Sequence, residues 1–115
     1  MLVIAAVLFA LAAVGGLTMA YIYFSKKRNP PFALAVLHGV FAASALIILL
    51  WTVVRAHSAG LVAWALGLFV VAALAGFFLF SYHMRGKTLP APGVIAHAAV
   101  AVTAFALLLA GIFLA

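Results

Sequence analysis

The sequence predicts an all-α fold: an integral-membrane four-helix bundle built from two tandem helical hairpins. Three observations lead there. Hydrophobic residues make up 72% of the chain and charged residues only 5%. A soluble domain is about half apolar and a quarter charged, so these residues cannot cover a water-facing surface. Four apolar stretches, 1–24, 31–54, 61–82 and 93–115, each approach or exceed the roughly 20 residues that a bilayer-spanning helix needs. The breaks between them are short, which makes successive spans antiparallel neighbours.

Each element has its own reason. Residues 1–10 resemble the apolar core of a signal peptide, but they lack a basic start. The apolar run also continues to Phe24, so the segment reads as a span that stays. The first break carries Lys26, Lys27, Arg28, Asn29 and the Pro30-Pro31 pair, which ends one helix and starts the next. The second holds Arg55, His57 and Gly60, and the third runs from His83 to Pro92 with Gly86 and Pro90 as turn residues.

Charge sets the expected orientation. The first and third loops hold Lys26, Lys27, Arg28, Arg85 and Lys87, and the middle loop holds only Arg55. Basic loops stay cytoplasmic, so both termini are expected outside, in a bacterial inner membrane. Trp51 and Trp64 then belong to the outer interface, and Tyr21, Tyr23 and Tyr82 to the inner one. The net charge of +6 marks loops beside membrane lipid and does not indicate a nucleic-acid partner.

A shift of 59 residues lays the second half on the first without a gap, dividing the chain into hairpins 1–56 and 60–115. Identities include Leu2/Leu61, Val3/Val62, Ala6/Ala65, Ala13/Ala72, Tyr23/Tyr82, Pro31/Pro90, His38/His97, Ala42/Ala101, Ala45/Ala104 and Leu49/Leu108. Those from Pro31 to Leu49 lie on one narrow helical stripe. That stripe is expected to face the partner hairpin across an axis along the membrane normal. His38 and His97 then share one depth, roughly 10 Å inside the basic end at 1.5 Å per residue.

Composition narrows the chemistry. Cys, Asp and Glu are all absent and there are only four His. Thiolate sites, paired-acid hydrolysis, oxygen cages for hard cations and Ser-His-Asp triads are therefore excluded. Zinc and copper need three or four protein ligands. Haem brings four nitrogens and needs one or two axial ligands from the protein. His38 and His97 supply two, so the expected cofactor is one haem b with His38 and His97 as its metal ligands. Gly15, Gly16, Ala75 and Gly76 reach the same depth on the first and third helices, where small side chains let a flat macrocycle approach. Ala42 and Ala101, one turn beyond each His, keep the stripe shallow. His57 and His83 lie near opposite membrane faces and read as interfacial.

A four-helix bundle with a facing His pair resembles the membrane b-type cytochromes, such as the ascorbate-reducible and quinol-linked families and the haem-bearing anchors of succinate dehydrogenase. The resemblance covers architecture and the pair His38/His97. It implies electron transfer with a quinone or a redox protein, rather than a stand-alone enzyme, and is compatible with a homo-oligomer. Many of those families hold two haems on two His pairs, whereas this chain has one such pair. The small multidrug-resistance exporters share this size and helix count but depend on a membrane-embedded Glu, which is missing here. Fluoride channels of similar length are dual-topology dimers with polar pore residues, at odds with the one-sided charge and apolar stripes here. The alternative expectation is a cofactor-free subunit that assembles or stabilises another membrane complex.

Overall fold

A computed structural model describes residues 1–114. Ala115, the predicted end of the fourth span, lies outside the described residues. Among these there are four helices and no strand: α1 (Leu2–Lys26), α2 (Phe32–Ala56), α3 (Gly60–Met84) and α4 (Ala91–Phe113). Each is long and apolar enough to cross a bilayer, so the chain is an integral membrane protein. In lipid a backbone must bond within itself, and these helices do that. Pro31 and Pro90 sit at the N-caps of α2 and α4, where their fixed φ suits a helix start and no amide donor is lost. Pro92 in the first turn starts α4 at Ala91, two residues ahead of the predicted span.

The helices go round the bundle in chain order. α1 packs closely along α2 and α3 along α4, while α2–α3 and α1–α4 meet more lightly. α1 and α3 therefore stand on one diagonal, and α2 and α4 on the other. The connections containing Lys26–Arg28 and Arg85–Lys87 lie together at one end, the basic end. The termini and the α2–α3 connection lie at the other.

The predicted stripe of α2 and α4 does face inward. Ala45, Leu49, Ala104 and Leu108 are all fully buried. Across the other diagonal Phe9 and Phe69 stack with centroids 3.7 Å apart and planes 3° from parallel. Hydrophobic burial drives little inside a bilayer, so close packing of this kind holds the hairpins together.

The repeat is one residue out of step in its first helix. Val3 and Val62, matched by the shift of 59, have opposite environments: Val3 is 63% exposed and Val62 8%. A shift of 60 pairs like with like on α1 and α3: Ala5 with Ala65, Phe9 with Phe69, Ala12 with Ala72. On α2 and α4 the shift of 59 holds, so the first connection contains one extra residue. Lys27 at the end of α1 takes a left-handed conformation, and Gly86 does so in the second connection.

Packing is tightest near the termini. At Gly111 an added Cβ would lie 2.6 Å from Val62 Cγ2 and 3.2 Å from the Val62 backbone nitrogen. Gly111→Ala is therefore expected to push α4 off α3 and destabilise the bundle by about 1–3 kcal/mol. Thermal unfolding in detergent measures this, and an unchanged midpoint would refute the close approach.

Candidate functional site: the histidine pair

His38 and His97 face each other across the α2–α4 diagonal, with ring centroids 6.2 Å apart and planes at 81°. Each ring is held by the other helix of its own hairpin. His38 Nδ1 lies 2.7 Å from the carbonyl oxygen of Ala12, and His97 Nδ1 lies 2.8 Å from that of Ala72. A carbonyl only accepts, so Nδ1 carries the proton and donates, and in a neutral ring Nε2 is left with its lone pair. Among the described residues neither Nε2 has a partner, and neither is sealed from its surroundings, since no buried polar side-chain atom is left unpaired there.

Glycines make this arrangement possible. A Cβ at Gly16 would meet His38 Cε1 at 3.1 Å, and one at Gly76 would meet His97 Cε1 at 3.2 Å. Both distances are shorter than ordinary van der Waals contact, so the rings lie flush against α1 and α3 only because these residues lack side chains. Gly15 is looser, with 3.6 Å to the Cβ of His38. The sequence put these glycines at the depth of the histidines, and here they form the wall behind each imidazole. Ala42 and Ala101 sit one turn beyond the histidines, half-buried.

The environment differs on the two sides of the pair. The buried apolar side chains, from Ala5 and Phe9 to Ala72 and Leu108, lie level with the pair or toward the termini. Toward the basic end none of the helical residues described is buried, and the buried side chain there is Pro30 in the first connection.

A clasp that sequence reasoning missed closes the basic end. The Tyr23 hydroxyl donates to the Leu89 carbonyl at 2.6 Å, and His83 Nε2 donates to the Pro30 carbonyl at 2.8 Å. These are one contact made twice: Tyr23 and His83 differ by 60, Pro30 and Leu89 by 59. The repeat mate of His83 is therefore Tyr23, not Phe24 as the gapless shift implies. Asn29 adds two bonds, donating to the Lys87 carbonyl at 2.8 Å and accepting from the Leu89 amide at 3.0 Å. Only the turn-forming character of Asn29 was readable in advance. His57 is exposed at the far end of α2 in a left-handed conformation, well away from the pair.

No group of three or more His, Cys, Asp or Glu among the described residues could hold a metal ion by itself. The arrangement offers two nitrogen donors on facing helices. Comparison with known proteins matched no family model, no curated protein and no solved structure.

Proposed function

We propose that the chain is a small membrane b-type cytochrome that binds one haem b between His38 and His97 and passes electrons to or from a quinone or a docked redox protein. The observation that carries this reading is the oriented pair: each Nδ1 is tied to a carbonyl and each Nε2 is left free. A metal–imidazole bond is about 2.0 Å long, so two imidazoles sharing one iron would have centroids about 6 Å apart. The 6.2 Å separation fits that requirement. The donor set also fits, because a ring that brings its own four nitrogens needs only two more.

Bound haem supplies a one-electron couple; the protein supplies its setting. The carbonyls of Ala12 and Ala72 hold the imidazole tautomer and orientation, and strengthen each nitrogen as a donor. With His38 and His97 both engaged, the group would transfer electrons rather than bind oxygen. The stacked Phe9 and Phe69, with Leu49 and Leu108, keep the side toward the termini dry. The basic end is assigned to the cytoplasm by its five cations, in a bacterial inner membrane, with both termini outside.

The same Nδ1 bonds also favour a second reading, in which the histidines only tie α2 to α1 and α4 to α3 within a cofactor-free assembly subunit. A visible absorption spectrum of the chain purified from haem-replete cells separates the two. Low-spin absorption at one haem per chain is expected. A colourless protein that is fully folded would leave only the assembly role.

A further inference from the structure

The five cations of the basic end have no carboxylate side chain anywhere in the chain to pair with. The clasp formed by Tyr23, Asn29 and His83 joins their two loops, so the five charges are gathered at one end of the bundle. Arg85 already bends back along α3, bonding the Ser81 carbonyl at 3.1 Å and stacking its guanidinium over Tyr82. This leaves Lys26, Lys27, Arg28 and Lys87 without a side-chain hydrogen bond within the described residues.

Beside this group the α1–α4 seam opens sideways. Helices α2 and α3 are tied by a short connection, whereas α1 and α4 are joined by none, and they part into an apolar groove of about 520 Å³. Ala20 and Phe24 form its α1 wall, and Val94, Ile95, Ala98 and Val102 much of its α4 wall. The groove leads to the charges. Phe24 stands in the last turn of α1, so the α1 wall of the groove ends within three residues of Lys26 and Lys27. Val94 lies within one turn of the α4 start at Ala91.

We propose that this seam is a binding site for one anionic phospholipid, with its phosphate held by Lys26 and Lys27 and one acyl chain lying in the groove. Two separate features call for the two ends of such a molecule: unpaired cations for the phosphate and an open apolar channel for the chain. A neutral lipid satisfies only the groove, and an acidic protein only the cations. The site is independent of the haem.

Native mass spectrometry of the full chain released from nanodiscs of equal phosphatidylglycerol and phosphatidylcholine tests the proposal. The unaltered chain is expected to retain one phosphatidylglycerol in preference to phosphatidylcholine. Lys26→Gln with Lys27→Gln should reduce that preference roughly thirtyfold, at two surface cations lost. Ala98→Phe, which fills the groove and leaves the charges alone, should also lose the lipid. Ala20→Leu serves in its place if helicity by circular dichroism shows that variant misfolded. Arg55→Gln, at the opposite end, should change nothing. Equal retention of the two lipids by the unaltered chain would overturn the proposal, as would undiminished preference in the double lysine variant. Undiminished binding in a folded groove variant would overturn it too, leaving only attraction to surface charge.

Discussion

If His38 and His97 hold haem as proposed, His38→Ala and His97→Ala are each expected to abolish the low-spin spectrum of the purified chain, because each would remove one of the two donors. The bond lost from Ala12 or Ala72 is worth about 0.6 kcal/mol in a membrane interior, too little to unfold a bundle of four spans. Haem loss without loss of helicity would therefore report ligation and not collapse. His57→Ala and His83→Ala form the control. His57 is exposed near the termini, and His83 is committed to the Pro30 carbonyl; neither change should alter the spectrum. Unaltered haem content in both His38→Ala and His97→Ala would rule out the assignment.

Gly16→Leu and Gly76→Leu are expected to lose haem almost as completely, by displacing the rings although both imidazoles are still present. An added Cβ already stands 3.1 or 3.2 Å from Cε1 of His38 or His97, and a Leu side chain extends further into the same space. The imidazole must then swing away from the α2–α4 axis and give up its carbonyl bond. Leu is favourable in lipid, so both variants should still insert. Gly15→Ala, whose Cβ would meet His38 only at 3.6 Å, should leave the spectrum close to that of the unaltered chain. Haem content measured against total protein decides between the outcomes. Full retention in both leucine variants would show that the rings do not need the glycine wall.

Some of this was legible in the sequence for plain physical reasons. Four apolar runs separated by Pro and Gly leave a chain few alternatives in a bilayer, and they became α1 to α4. The inward stripe of α2 and α4 could be read because Pro31/Pro90 and His38/His97 are rare residues that fix the register. On α1 and α3 an Ala, Leu and Val background produced chance identities at the shift of 59, such as Leu2/Leu61 and Val3/Val62. The true step was visible in Phe9/Phe69 and Gly16/Gly76, both 60 apart, but an alignment without gaps hid it. The carbonyl partners of the histidines carry no signal, since any residue at position 12 or 72 offers the same oxygen. The clasp was hidden for the same reason: Tyr23 and His83 bond to backbone, and they became equivalent only once the extra residue in the first connection was placed.

The proposed site requires two imidazole nitrogens of one chain to bind one iron. Electron paramagnetic resonance of the oxidised, purified chain tests that most directly, because the spin state of ferric haem responds to whether both axial positions hold strong nitrogen donors. A low-spin signal is predicted for the unaltered chain, at one haem per chain, with its loss in both His38→Ala and His97→Ala. A high-spin signal in the unaltered chain, or a low-spin signal that survives either substitution, would contradict the pair as the haem ligands.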